Sequence, residues 1–444
     1  MLKMWNSSRI LGLTLLVHSC FVNLAMAQGK LGLNDVSWLW PVPTSVADLN
    51  RTISMGALKG LDGADVWSDL QFQSLLDVVN SDATEVEGTR IEFDPDFSSK
   101  DNWRIAGMRI DPTAPGADPK LIAMFGSSVQ IRLIVQPVTV RSSGVRVHDT
   151  AVHLVYSFNK GRDPSNPRRN IPDNDKFKAI LDDVLHLKAI SRAGSAPTEE
   201  APLGVHPGLS KNVPGLGDEV AKFLSKHLTS TNLSAKALAG IQSRFEPWIF
   251  FALAPGSNGK FGPIPVVAPF AKPQMIDFRS RVGVVTPIPV VSNRPIPGGA
   301  GPTGVSTSDL FDLSLSDLGT LATIGKDSSG ASIQDAEVKN ADIADVVASP
   351  VHSHFFNTDC VSCHTESQRR NILNLPLGRF AFRLGGQSPA IASEVTSRAK
   401  WNVRNFGWFP NVLASNATTP TATQRTANET AEVILFINEH FLSD

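Results

Sequence analysis

Residues 151–158, which read AVHLVYSF, are the stretch that decides the fold. They place four apolar side chains on one face of an extended chain: Val152, Leu154, Tyr156 and Phe158. Residues 129–135, VQIRLIV, alternate between apolar and polar side chains for most of their length. Because this alternation is typical of half-buried strands, we predict two strands here that pair with each other.

Strand and helix patterns are interleaved over residues 28–304. Three more apolar stretches indicate strands: 103–110 (WRIAGMRI), 248–254 (WIFFALA) and 275–285 (MIDFRSRVGVV). Apolar residues at helical spacing predict helices over 177–185 and 218–228, and His227 falls on the apolar stripe of the second, which favours a core histidine over a ligand. We therefore predict a mixed, β-rich α+β domain over 28–304, ending in the Pro/Gly-rich linker RPIPGGAGPTG.

The first 27 residues have the layout of a secretory signal peptide. Lys3 and Arg9 precede the apolar run ILGLTLLVHSCFV, and the small-residue stretch 25–27 follows it. This run is shorter than the about 20 residues that span a bilayer. We expect residues 1–27 to be removed, no transmembrane segment to remain, and the protein to be exported to the periplasm or cell surface of a bacterium.

The overall charge of the chain excludes nucleic acid as a partner. Lys and Arg number 41 against 42 Asp and Glu, so the chain offers no field that would attract nucleic acid. With 444 residues, it is long enough for two or three domains and for a substantial core without disulfides. Of its 3 cysteines, Cys20 lies in the expected signal peptide. Cys360 and Cys363 remain, and their proximity indicates a local task.

The segment NTDCVSCHTE, residues 357–366, sets these two cysteines three apart and directly before His364. A zinc site needs four ligands, and only His352 and His354 are near enough to complete one. A redox disulfide needs the cysteines at a helix start that follows a strand, whereas the preceding HFFN resembles the end of a helix. A chance occurrence is the remaining alternative.

Covalent haem fits each part of the motif. Two thiols on one helical turn reach the two vinyl groups on one porphyrin edge, and the next residue brings its imidazole under the iron. We therefore predict one covalent haem c, held by Cys360 and Cys363, with His364 as the proximal iron ligand.

Residues 350–444 resemble a class I c-type cytochrome domain. The matching features are Phe355 and Phe356 ahead of the motif, the motif itself, and a closing helical pattern over 429–441 that carries Phe436 and Phe441. The resemblance implies an all-α haem domain over 350–444, joined to the first domain by a connecting segment over 305–349. It also gives Cys360, Cys363 and His364 the haem-binding roles of that family. The predicted fold class is thus α+β multidomain.

The sequence departs from that family at the sixth iron position. The family usually supplies a methionine from a loop well after the motif, and this chain has none there. The position is therefore open, filled from upstream, or held by a less usual ligand. His354 and His352 are the main upstream candidates, and His440, Met275 and His153 are further ones. Arg404 or Arg425 are candidates to pair with the haem propionates, and the aromatic stretch 401–409 is a candidate haem wall.

These observations predict an exported monohaem c-type cytochrome that passes single electrons to a periplasmic or membrane redox partner. We assign no catalytic residue, because no G-x-S-x-G, H-E-x-x-H, P-loop or dinucleotide-binding pattern is present. Electron transfer is favoured over catalysis. The alternative is a haem enzyme or sensor, peroxidase-like or gas-binding, with an open or weakly ligated sixth position. A binding protein with a purely structural haem is the third hypothesis.

Overall fold

The structure is a computed structural model that describes most of the residues between 31 and 263 and shorter stretches beyond. The described residues are 31–82, 94–114, 122–123, 126–192, 201–240, 248–256, 258–263, 266–267, 290–292, 295–296, 341–342, 344–351, 363–364, 366–367, 370–371, 374–378, 380–384, 386–397, 404–410 and 418–443. The predictions for the signal peptide at 1–27 and the strand at 275–285 lie outside them.

The helices alternate with strands along the described chain. The helices are α1 Leu33–Val36, α2 Val46–Leu49, α3 Asp69–Asp82, α4 Asn174–Arg192, α5 Pro207–Ser210, α6 Leu216–His227 and α7 Gln424–His440. Helical residues also occur at 344–348 and, with gaps, over 363–371. The strands are β1 Ser37–Leu39, β2 Trp103–Ala114, β3 Ser128–Arg141, β4 Gly144–Val147, β5 Thr150–Asp163, β6 Asn166–Pro172, β7 Leu233–Gly240, β8 Trp248–Pro255, β9 Phe261–Pro263, β10 Val266–Val267, β11 Val290–Ser292, β12 Pro295–Ile296, β13 Phe406–Pro410 and β14 Thr418–Ala422.

Short-range polar contacts fix where two of these helices begin. The Thr423 hydroxyl accepts a hydrogen bond from the backbone N–H of Thr426 at 3.3 Å and so caps α7. The Asp173 carboxylate accepts one from the N–H of Lys176 at 3.1 Å at the start of α4. The predicted helices at 177–185 and 218–228 are confirmed as parts of α4 and α6. None of the described helices is long and apolar enough to cross a membrane.

A ten-stranded sheet organises the molecule, with the order β1-β2-β3-β5-β7-β8-β11 and with β4, β6 and β9 as side branches. Its strands pair antiparallel except β11, which runs parallel to β8. The predicted pairing of the two opening strands is confirmed, because Leu133 lies opposite Leu154 and Val129 opposite Phe158. The predicted strands at 103–110 and 248–254 correspond to β2 and β8.

The register divides the centre of this sheet into two unlike surfaces, since paired residues project to the same side. We call the first the apolar face, and its residues are Met108, Ile110, Ile131, Leu133, Val135, Val152, Leu154 and Tyr156, all buried. We call the second the polar face, and its residues are Gly107, Arg109, Asp111, Gln130, Arg132, Ile134, Gln136, His153 and Val155.

The apolar face is covered by chain that comes from residues 38–76 and 206. The Tyr156 hydroxyl donates to the carbonyl of Val66 at 3.2 Å. Trp103 makes edge-on ring contacts with Trp67 and Phe72, at centroid distances of 5.9 and 6.3 Å. Burial of such side chains is worth about 1.5–3 kcal/mol each, so this aromatic layer is a main source of stability.

The polar face is covered by the C-terminal part of the chain. A Cβ placed on Gly107 would lie 2.7 Å from the Phe406 ring, so the missing side chain of this glycine lets β13 approach the sheet. The Gln136 side chain holds β13 through both backbone groups of Trp408, since it donates to the Trp408 carbonyl at 2.8 Å and accepts from the Trp408 N–H at 2.7 Å.

The predicted all-α C-terminal domain, and with it the predicted fold class, is wrong. Between the motif and α7 lies the antiparallel pair β13–β14, and α7 is the long helix of this part among the described residues. Trp408, Ala427 and Ile434 belong to the same apolar core as the sheet. A five-residue motif specifies a chemistry and carries little information about the surrounding fold. The predicted domain boundaries stay predictions, because residues 301–340 lie outside the described part.

Candidate functional site

Cys363 and His364 are the described part of the cysteine motif, and both are helical and half-buried. Cys360, together with the two histidines proposed as distal ligands, His352 and His354, lies outside the described residues. The structure therefore places one thiol and one imidazole of the predicted haem ligands side by side on a helical turn.

A buried ion network anchors that helical stretch. The Arg370 guanidinium donates to the carboxylate of Glu366 at 3.0 Å, to that of Asp345 at 2.8 Å, and to the carbonyl of Pro376 at 3.0 Å. Burial opposes the charge of Arg370, but the two carboxylates outweigh it and raise its pKa. Because Glu366 is fully buried, the network leaves the turn that carries Cys363 and His364 little freedom to shift.

Helix α7 begins beside the motif. The Ser367 hydroxyl accepts a hydrogen bond from the N–H of Gln424 at 2.7 Å. Arg425 donates to the carbonyl of Ser349 at 2.9 Å and to the Glu429 carboxylate at 2.6 Å. Burial lowers the pKa of Arg425, but Glu429 first and then the neighbouring Cys363 outweigh it and leave the pKa raised. The helical stretch that carries the motif is therefore in contact with the start of α7.

This helix crosses the polar face of the sheet and meets its charges. Glu429 pairs with Arg109 of β2, and Arg132 of β3 lies 3.3 Å from the carboxylate of Asp111. Burial would raise the pKa of Glu429, yet Arg109, Arg425 and Arg132 outweigh it and hold that pKa well below its usual value. A group of three arginines and two carboxylates thus lies between the sheet and α7.

His153 lies in the middle of β5 on this polar face, opposite Ile134 of β3 and Ala237 of β7. Burial, then the charges of His364 and Arg404, lower its pKa to about 3, so the imidazole is neutral at physiological pH. His364 of the motif is thus among the charges that act on His153. Within the described part of the chain, no hydrogen bond holds the His153 ring.

The two arginines proposed for the propionates are both buried on the polar-face side. Arg404 is 1% exposed and donates to the Asp149 carboxylate at 2.5 Å. Burial raises the pKa of Asp149, and Arg404 offsets this only in part. Arg404 is among the charges that act on His153, and Cys363 is among those that act on Arg425.

Several candidate ligands lie elsewhere. His440 is exposed near the C-terminal end of α7, 16 residues beyond Gln424. This separation corresponds to about 24 Å along the helix, away from the motif. Met55 and Met108 are fully buried, and Met108 belongs to the apolar face. Met275 lies outside the described residues. His227 pairs with Asp183 at 2.6 Å, which confirms it as a core histidine.

The described donors fit a covalent haem of the c type. A thiol and an imidazole are adjacent on one turn, and both keep some accessible surface. Sequence reasoning missed Arg109, Arg132 and Glu429 as neighbours of this site. No signal in the sequence indicates that these three residues lie together, because their proximity depends on strand register and on the path of α7.

No family model, no curated protein and no solved structure matches this chain.

Proposed function

We propose that this chain is an exported monohaem c-type cytochrome that passes single electrons to a periplasmic or membrane redox partner. Cys360 and Cys363 would attach the haem covalently, and His364 would bind its iron. The observation that carries the proposal is that Cys363 and His364 are helical and half-buried and lie next to the start of α7, which crosses the polar face. This proposal does not depend on the all-α fold that the structure excludes.

The bound haem would supply a one-electron Fe(III)/Fe(II) couple. The chain itself supplies a rigid frame and a defined electrostatic environment. The Arg370 network fixes the turn that carries His364, so that a change in charge at the site is met with little movement. Arg404 and Arg425 add positive charge near the site, which stabilises carboxylates and disfavours a further positive charge.

Electron transfer needs no substrate pocket. It needs only a bound haem with one edge that a redox partner can approach. The half-buried state of Cys363 and His364 supports such an edge. The rival hypothesis, a haem enzyme or sensor with an open sixth position, predicts a high-spin protein that binds carbon monoxide quickly once reduced. A visible spectrum of the loaded protein separates the two.

The proposed cofactor is tested by expressing the full chain in a bacterium with an active cytochrome c maturation system. We expect haem that stays with the polypeptide on a denaturing gel, a c-type pyridine haemochrome spectrum, and reversible reduction by ascorbate or dithionite. Replacing both motif cysteines, Cys360→Ala with Cys363→Ala, should abolish the haem that resists denaturation. Cys20→Ser is the matched control, because it changes the third cysteine outside the motif.

Two results would contradict the proposal. A wild-type protein that reaches the periplasm without covalent haem would exclude the cofactor. Equal haem retention in the double cysteine variant and in Cys20→Ser would show that the motif does not attach it.

A further inference from the structure

We propose that His153 of β5 is the second axial ligand of the haem iron, opposite His364, an inference that rests on the proposed function. The sheet would then hold one side of the cofactor and the motif the other. Neither His352 nor His354 would be needed as an iron ligand.

The register of the sheet gives the first argument. Ile134 and His153 are paired across β3 and β5, and Arg132 lies two residues from Ile134, so His153 and Arg132 project from the same face. Arg109 is paired with Arg132 and binds Glu429 of α7. His153 therefore points to the side of the sheet on which the C-terminal part lies.

Contacts of the motif give the second argument. The helical stretch that includes Cys363 is bonded to the first residue of α7 through Ser367, and α7 is bonded to the polar face through Glu429 and Thr430. Arg404, on the N-terminal side of β13, pairs with Asp149, next to the start of β5. These contacts bring the motif helix, α7 and Arg404 to the side of the sheet from which His153 projects.

The state of the His153 ring gives the third argument. His148 shares a hydrogen bond with the Thr139 hydroxyl at 2.9 Å, and His227 shares one with Asp183 at 2.6 Å. Both rings have a structural partner. The His153 ring has no such hydrogen bond among the described residues, and it keeps some accessible surface. An imidazole with a nitrogen to spare is a suitable iron ligand.

The other candidates that the structure describes do not reach this space. His440 is at the far end of α7, and Met108 projects to the opposite face of the sheet. Ligation by two imidazoles fills both axial positions and favours an electron carrier over a gas-binding or peroxide-reacting protein.

The test uses full-length, haem-loaded protein. We expect the wild type to be low-spin in both oxidation states and inert to carbon monoxide, with a near-infrared magnetic circular dichroism band of bis-imidazole type. In His153→Ala we expect covalent haem at the wild-type level, a high-spin spectrum, and stoichiometric carbon monoxide binding after reduction. His148→Ala, which removes a buried histidine bonded to Thr139, should stay low-spin.

Each outcome decides the inference separately from the proposed function. A bis-imidazole band that persists in His153→Ala and is lost in His352→Ala or His354→Ala would overturn it and leave the cytochrome intact. A wild-type band typical of imidazole with thioether would also overturn it, without any variant that has to fold. A wild type with no covalent haem would instead defeat the proposed function.

Discussion

The two faces of the central sheet are built on opposite principles. The apolar face is packed with aromatic and aliphatic side chains that are almost fully buried, and Tyr156 is one of the few of its side chains that carries a polar atom. The polar face carries Arg109, Arg132 and His153. Helix α7 lies over it, and its Glu429 forms an ion pair with Arg109. The first face stabilises by removing apolar surface from water, and the second by pairing charges that burial would otherwise penalise.

This difference indicates a division of labour between the faces. A protein that needed only stability would gain little from burying several arginines, since buried pairs often stabilise no better than apolar residues of similar size. Under the proposed function, arginines on the side of the sheet that the C-terminal part covers would favour the negative propionates of a haem. The apolar face supplies the stability that lets the polar face bury charged groups.

The largest effect is expected from Trp103→Ala on the apolar face. Trp103 is fully buried, touches three aromatic rings and donates its indole N–H to the Phe97 carbonyl at 2.9 Å. Loss of this packing should lower the free energy of unfolding by about 3–5 kcal/mol, measured by urea denaturation. Leu70→Ala, at a side chain 48% exposed, is the control and should change it by less than about 0.5 kcal/mol.

Glu429→Gln breaks the charge pairing of the polar face. Because Glu429 is 25% exposed, we expect a loss of about 2–3 kcal/mol, below the usual cost of breaking a fully buried pair. Its folded pKa is lowered, so the stabilisation is complete above the ordinary pKa of Glu and is lost as pH falls toward the folded value. The difference in free energy of unfolding between wild type and variant should therefore become smaller in acid. Glu439→Gln, exposed on the same helix, should show no such gap.

Thr430→Val tests a neutral contact on the polar-face side. The Thr430 hydroxyl donates to the Thr426 carbonyl at 2.7 Å and accepts from the Ser37 hydroxyl at 2.7 Å, and both threonine and serine are fully buried. The change leaves Ser37 without this acceptor and should cost about 1–2 kcal/mol in thermal or urea unfolding. A cost equal to that of Glu429→Gln would show that charge is not what distinguishes the two contacts. Thr419→Val, exposed on β14, serves as the control.

His206→Phe should have the smallest effect at neutral pH. His206 stacks on Trp38 at 3.6 Å, and its Nδ1 has no hydrogen-bond partner among the described residues. A phenyl ring keeps the stack, so we expect a change within about 1 kcal/mol.

The same variant should change the response to acid. Burial lowers the pKa of His206 from 6.5 to about 3, so the wild type loses stability as pH falls through that window. His206→Phe should lose less stability over the same pH range, as measured by the thermal midpoint at neutral and mildly acidic pH. Equal acid sensitivity in both proteins would mean that His206 is not protonated on unfolding; His186→Gln, at an exposed site on α4, is the control.

The strands of the sheet were predictable because their alternation is strong. In 151–158 the apolar side chains fall at every second position, and the pairing with β3 followed from the same pattern. The C-terminal pair β13–β14 was not predictable in this way. Its strands, FGWFP and TTPTA, are short and contain prolines, and their stability comes from the polar face below and from Gln136.

The motif was visible in the sequence, whereas its surroundings were not. The spacing of Cys360, Cys363 and His364 identified a candidate haem motif, whereas its position against the sheet depends on contacts hundreds of residues apart. His153 was recognisable as the polar residue of an alternating strand. That it lies on the side of the sheet that α7 covers became visible only with the register of β3 and β5 and the path of α7.

The bond between Ser37 and Thr430 joins residues 393 positions apart, and Leu31 is bonded to Asn438 across 407 positions. The first strand therefore meets its last partner only after almost the entire chain has been made. Under the proposed function, haem would be attached before α7 docks, while the side of the sheet that carries His153 is still uncovered.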